Sequence, residues 1–242
     1  MLILFDIDGT LLSSEGVGRA SMLAAGQELF GSDFTFDGVD VSGRLDTLIW
    51  HDLAVSNSVE PNDTNHTRFR RTYAKYLEQN LRISDRTRAL PGVGEFVAEL
   101  RQRTDLTLGL LTGNYPETGR MKIRAVSIEP SWFPVQAWGD QAATRRGLPP
   151  LAMTQCAEIH GNPIDSRQVL IIGDTPHDVD CAAVNGCRSL AVCTGAFSED
   201  ELHAARPDRL VRTLENTVDL VEWIDSLRDS WDSGERSPIE GT

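Results

Sequence analysis

Lysine is scarce in this chain of 242 residues. Of its 23 lysines and arginines only Lys75 and Lys122 are lysines, set against 36 acidic residues. The resulting formal charge of −13 argues against broad nucleic-acid binding, because a phosphate backbone needs a basic footprint. A small phosphorylated ligand stays admissible where a metal ion or a few placed cations reverse the field locally. Cysteine is sparse as well. Cys156, Cys181, Cys187 and Cys193 form no CxxC pair and have no histidine at zinc-like spacing, so reduced and mostly buried thiols are expected. No apolar run approaches membrane-spanning length. The apolar start "MLIL" has no basic stretch before it and meets charge by Asp6, unlike a signal peptide. A cytoplasmic protein with neither nucleic acid nor membrane as partner is the expectation; monomer and homodimer both remain open.

The hydrophobic pattern that is present divides the chain. "LILF" (residues 2–5) is short, apolar and followed at once by Asp and Gly, as in a central parallel strand buried on both faces. From residue 14 to 89 the pattern turns helical. Leu45, Leu48, Ile49 and Leu53 recur at helical spacing, as do Phe69, Tyr73, Tyr76 and Leu77, and no strand is expected there. From about residue 90 helices alternate with the strands "LTLGLLT", "FPVQAW", "QVLIIG" and "RSLAVC". The alternation predicts an α/β fold with a doubly wound parallel sheet. Its core would be discontinuous, residues 1–13 plus 90–228, with a helical cap of residues 14–89 inserted between and a polar, frayed tail over 229–242.

In an open α/β sheet, ligands bind beyond the carboxyl ends of the strands. Asp6 and Asp8 follow the first strand, Thr112, Gly113 and Asn114 the second, and Asp174 and Asp178 the fourth. Taken singly, each has a plain structural explanation: an Asp-Gly turn, a helix N-cap, a capped turn into a helix. Taken together on parallel strands, the acidic residues and the hydroxyl form a set suited to Mg²⁺ and a phosphate. An EF-hand reading of "DIDGT" fails, since Gly9 falls at the fourth loop position and a strand precedes it. "GVGRAS" (16–21) lacks the third glycine of a dinucleotide loop and is set aside. His177, Trp50 and His51 read as loop, core and surface residues.

These motifs resemble those of the haloacid dehalogenase superfamily, in its branch with a helical cap after the first strand. "DIDGT" matches the first motif, "LLTGN" the second and "GDTPHD" the fourth. "SGRLD" (42–46) and "LPGV" are most similar to phosphoglycolate phosphatase-like hydrolases. The resemblance implies a Rossmann-like core and a Mg²⁺-dependent phosphatase acting on a small phosphorylated metabolite. It also implies roles: Asp6 as the nucleophile that becomes an aspartyl-phosphate and Asp8 as general acid and then base. Mg²⁺ would be held by Asp6, the Asp8 carbonyl and Asp174, supported by Asp178. Thr112 and Gly113, with Asn114 beside them, would hold phosphate oxygens. Asp8 speaks for phosphoryl transfer over carbon–halogen displacement, which needs no second carboxylate.

The third motif departs from the family's Lys-Pro pattern, reading "RRGLPPLA". Lys122 is the candidate for the missing cation, with Arg145 or Arg146 as alternatives. Arg44, in the cap, is a candidate for a substrate carboxylate or second phosphate, or else an exposed arginine at a helix start. A phosphomutase would share every core residue named, and a catalytically idle binding protein on the same fold is the rival from another class.

Overall fold

The computed structural model describes residues 1–232. Its first strand, β1 (Leu2–Phe5), has all four side chains buried, and each such side chain contributes about 1.5–3 kcal/mol on leaving water. The chain then makes a two-residue strand, β2 (Leu12–Ser13), and three helices, α1 (Val17–Phe30), α2 (Asp46–Ser56) and α3 (Asp63–Ile83). It returns through β3 (Arg88–Ala89), which pairs antiparallel with β2. After it come α4 (Val93–Arg101), β4 (Thr107–Leu111), α5 (Pro116–Ala125), β5 (Val135–Ala137), α6 (Leu148–His160) and β6 (Val169–Gly173). The chain closes with α7 (Pro176–Val184), β7 (Arg188–Val192), α8 (Glu199–Ala204), β8 (Arg209–Val211) and α9 (Thr217–Asp232).

Six strands form one sheet in the order β5-β4-β1-β6-β7-β8, every pairing parallel. The α/β class read from the sequence is therefore observed. Alternate side chains leave opposite faces of each strand. Ile3, Phe5, Leu110 and Ile172 pack with α4, α5 and α9, while Leu2, Leu4, Val169 and Ile171 pack with α6 and α7. From β1 the chain builds outward through β4 to β5; from β6 it builds the other way. The crevice where the two directions part lies at the ends of β1 and β6, the place where such sheets bind ligands.

Helices α1–α3 share their own cluster of Met22, Phe34, Trp50, Phe69 and Tyr73, into which Tyr115 from the β4–α5 loop is inserted. The Tyr115 hydroxyl meets His66 Nε2 at 2.8 Å. Arg70 on α3 pairs with Glu117 at 2.5 Å and Asp140 at 2.9 Å. The three helices are thereby clamped onto the edge of the sheet that carries the strand ends.

Several elements differ from the sequence reading. β3, α8 and β8 were not anticipated, being two, six and three residues long, too short for a hydrophobic period to register. Leu48, placed on the buried stripe of its helix, is 38% exposed, while Ile49 and Leu53 are buried. The frayed tail was drawn from residue 229, yet α9 continues to Asp232; the remainder of that tail lies outside the described residues. The four cysteines are free, three of them buried, and among the described residues no helix is long and apolar enough to cross a membrane.

Candidate active site

Parallel pairing aligns Phe5 with Leu110 on one side and Ile172 on the other. The residues just past these, Asp6, Thr112 and Asp174, therefore come together at one edge. Asp6 continues the ladder by donating its N–H to the Ile172 carbonyl at 2.9 Å.

Carboxylate oxygens of Asp6, Asp174 and Asp178 all lie within 4.8 Å of one another, and all three residues are buried. Burial first, and then its acidic neighbours, raise the Asp6 pKa to about 6 against the pull of Arg145. Asp174 is pushed well above the usual carboxylate range by burial and by the charge on Asp6. Carboxylates forced together in this way are what a bound divalent cation relieves, and hard oxygen donors suit Mg²⁺. The surroundings are shaped to keep Asp174 in place. A Cβ on Gly9 would stand 2.3 Å from its Oδ2, and one on Gly195 would stand 1.6 Å from it. Thr10 Oγ1 donates to its Oδ1 at 3.1 Å. The donor set fits a magnesium ion.

Asp178 has a second duty. It closes a capping box at the start of α7, its Oδ2 accepting from the Thr175 hydroxyl at 2.7 Å. Its Oδ1 takes Arg145 Nη2 at 2.5 Å, and the same Nη2 lies 3.2 Å from Asp6 Oδ2. Arg145 is thus buried among the acids, whereas Arg146 turns outward to Asp180 at 2.7 Å.

Lys122 is buried too and reaches the site from α5. Its Nζ donates to Asp8 Oδ2 and to Asn114 Oδ1, both at 2.6 Å. Asn114 Nδ2 in turn donates to Asp8 Oδ2 at 2.9 Å and to Thr112 Oγ1 at 2.8 Å. One Asp8 oxygen therefore carries two donors, while Oδ1 accepts from Ser14 Oγ at 3.5 Å. Both an arginine and a lysine stand in the site, at opposite ends of the Asp6–Asp8 pair.

Gly113 is pressed against the cap. Its carbonyl accepts from the Asp46 N–H at 2.7 Å, and a Cβ there would stand 2.1 Å from the Arg44 carbonyl. Its own N–H has no hydrogen-bond partner among the described residues. A cavity of about 330 Å³ lies between these loops and helices α1–α3, lined by the site residues named from the sequence except Asp178 and the alternative cation Arg146. Arg44 lines it with Nη1 engaged, 2.7 Å from Asp52 and 3.2 Å from the Asp40 carbonyl. Trp50 is packed in the helical cluster, and His51 and His177 are exposed.

Asp46, within "SGRLD", has no role in the sequence reading. It is buried at the cavity wall, its Oδ2 accepting from the Tyr115 N–H at 3.0 Å. Burial raises its pKa to about 7 although Lys122 works in the opposite direction. Gly195, which makes room for Asp174, was not singled out either. A lone glycine after a strand carries no pattern that announces such a role.

The chain as a whole is similar to known proteins. A family model described as haloacid dehalogenase-like hydrolase matches residues 1–206. The chain belongs to that family of hydrolases. A phosphoglycolate phosphatase of Synechococcus elongatus is 25% identical over 93% of this chain and 97% of its own. A phosphoglycolate phosphatase of Vibrio vulnificus is 26% identical over 91% and 95%. Among solved structures, CbbY from Rhodobacter sphaeroides in complex with phosphate superposes with a TM-score of 0.73 at 19% identity, covering 89% of this chain and 95% of that one. At that identity the superposition speaks for the fold alone.

Proposed function

We propose that this protein is a Mg²⁺-dependent phosphatase that hydrolyses a small phosphomonoester through an aspartyl-phosphate on Asp6. The observation that carries the reading is the pairing of two differently equipped carboxylates two residues apart. Asp6 sits in the buried acid cluster, while Asp8 stands at the cavity with Lys122 and Asn114 on one oxygen.

Asp6 and Asp174, with the Asp8 backbone carbonyl, would hold the ion, and Asp178 would support them from the start of α7. When bound there, Mg²⁺ offsets the repulsion between an attacking carboxylate and a phosphoryl dianion. In the first step an Asp6 oxygen attacks phosphorus while the bond to the leaving oxygen breaks, and Asp8 delivers a proton to that oxygen. In the second step water attacks the aspartyl-phosphate, Asp8 takes the water's proton, and inorganic phosphate leaves. One residue serves both halves because it ends the first step deprotonated, and such acid–base help is worth roughly 10²–10⁴-fold.

The Gly113 N–H, the Thr112 hydroxyl and the Lys122 ammonium would hold the equatorial phosphate oxygens, where positioning and charge stabilisation do most of the work. Asn114 keeps Lys122, Asp8 and Thr112 in register through three hydrogen bonds. Arg44 at the cavity wall would contact the leaving group. The relatives named phosphoglycolate phosphatase support a small phosphorylated acid as substrate. A phosphate-release screen over phosphorylated metabolites, run with Mg²⁺ and with chelator, tests the reading. Release that requires Mg²⁺ and drops by at least a thousandfold in Asp6→Asn is expected. An Asp6→Asn variant as fast as the wild type would remove the nucleophile from the scheme.

A further inference from the structure

Asp46 opens α2, yet its carboxylate is turned to another helix. The N-cap of α5 is Tyr115, whose own side chain makes no cap hydrogen bond. Its N–H donates instead to Asp46 Oδ2 at 3.0 Å. In a capping box that N–H is taken by the side chain three residues further on. Here the residue in that place is Thr118, which donates its hydroxyl to the Tyr115 carbonyl at 3.1 Å. Asp46, 69 residues earlier in the chain, supplies the acceptor from across the cavity wall. The backbone of the same residue makes a second contact, its N–H donating to the Gly113 carbonyl at 2.7 Å. One residue of the inserted helices thus holds both ends of the arc Gly113–Asn114–Tyr115.

That arc carries the groups that face the reacting centre. Asn114, at its middle, bonds Asp8, Thr112 and Lys122 through its side chain. Lys122 itself lies on α5, the helix that starts at the end of the arc. Anchoring alone does not call for a charge at position 46. Leu45 beside it is buried in the sheet-side cluster, the Thr47 hydroxyl donates to the Gly139 carbonyl at 3.2 Å, and Arg70 holds Glu117 from α3. A carboxyl that is only 6% exposed is kept there at a cost to folding, and buried titratable groups in clefts cluster at functional sites.

We propose that Asp46 is a positioning residue for phosphoryl transfer: it fixes the Gly113–Tyr115 arc and the start of α5, and so sets the Gly113 N–H and the Lys122 ammonium against the phosphoryl group. The inference rests on the phosphatase reading and adds to it a residue of the inserted helices that acts through the loop after β4, on the reacting group and not on the leaving group. Its own negative charge is offset by Lys122 and by the Tyr115 N–H. Donors to a developing charge are effective only when held in place, and a misplacement of about 1 Å can cost about 10²-fold in rate. The loss on removing Asp46 should therefore be the same whatever alcohol departs.

The test compares wild type, Asp46→Ala, Asp46→Asn and Thr47→Val in Mg²⁺-dependent hydrolysis of 2-phosphoglycolate and ethyl phosphate, which differ in the leaving group. Asp46→Ala should lower kcat by about tenfold or more, by a similar factor on both esters, with KM changed less than kcat. Asp46→Asn keeps an oxygen that can accept from Tyr115 and should stay within about threefold of wild type. Thr47→Val removes a hydrogen bond from the same turn but not from the arc, and should leave kcat within about twofold whatever it does to Tm. In the wild type, where no variant has to fold, NMR should find the Tyr115 N–H exchanging with solvent far more slowly than the Gly113 N–H. A loss confined to one ester would make Asp46 a selectivity residue. Equal losses in Asp46→Ala and Thr47→Val would make it an anchor, and a Tyr115 N–H exchanging as fast as that of Gly113 would remove the hydrogen bond. Each of these results would overturn the inference and leave the phosphatase standing; hydrolysis of neither ester by wild type would overturn both.

Discussion

On the sheet side of the cavity the acids have answering groups: Asp6 and Asp178 share Arg145, Asp8 has Lys122 and Asn114, and Asp174 has Thr10. On the helical side the cavity is lined by Gly16, Gly18, Arg19, Met22, Ile49 and Tyr73. The strand-end wall gathers the charged groups, with Asp6, Asp174 and Asp178 crowded as a divalent cation would relieve, and none of them depends on what the leaving group is. The helical wall sets Arg19 and the engaged Arg44 beside apolar Met22 and Ile49. In the proposed reaction the chemistry would fall to the strand ends and the helices would meet the leaving group, which is how a fold can keep one reaction while its substrates change.

The comparison breaks most sharply at the two buried cations. Arg145→Ala strips Asp6 and Asp178 of their shared partner, and losing one member of a buried pair costs about 3–5 kcal/mol; denaturant unfolding should show it. Lys122→Ala should lower kcat roughly 10²–10³-fold with a smaller loss of stability, because Asn114 still holds Asp8. Arg146→Ala, on an exposed pair, should leave kcat within twofold. If Arg146→Ala abolished turnover while Lys122→Ala left it intact, the assignment of the site cation would be reversed.

A smaller effect tests the acid cluster through pH. The native Asp6 pKa of about 6 lies above that of an ordinary carboxylate, so the folded state binds this proton more tightly than the unfolded chain does. In metal-free protein, stability should therefore decline as pH rises from about 4 through about 6. Mg²⁺ replaces the proton, so its stabilising shift in Tm should be largest above pH 6 and fade below it. Thermal unfolding with Mg²⁺ and with chelator, from pH 5 to pH 8, reads this directly. A Mg²⁺ shift that grew toward pH 5 would contradict the cluster as the binding site.

The sequence made the strand-end wall legible because its residues follow strands. "LILF", "LTLGLLT" and "QVLIIG" are recognisable runs, parallel pairing then brings their ends together, and Asp6, Thr112 and Asp174 fall into place. It also pointed to Lys122 as the scarce lysine on a helix that starts beside Thr112. The helical wall was far less legible. Tyr73 reads as one more member of the stripe Phe69, Tyr73, Leu77, and nothing in that pattern says that it reaches the cavity wall. Arg19 sits in "GVGRAS", a stretch set aside because it lacks the third glycine of a dinucleotide loop. Asp46 has no local signal of a role, since its contacts with Gly113 and Tyr115 span 67 and 69 residues of sequence. β8 escaped notice for a related reason: a three-residue edge strand is too short to show alternation.

The central claim is that the phosphoryl group passes through Asp6. Rapid acid quench of the Mg²⁺-loaded enzyme during turnover of 2-phosphoglycolate, followed by mass spectrometry of the peptide covering residues 1–19, reads it most directly. The account predicts one added phosphoryl group on Asp6, formed at a rate no slower than steady-state turnover and absent in Asp6→Asn. Phosphate release with no modified peptide at any quench time, or with the phosphoryl group on another residue, would contradict it.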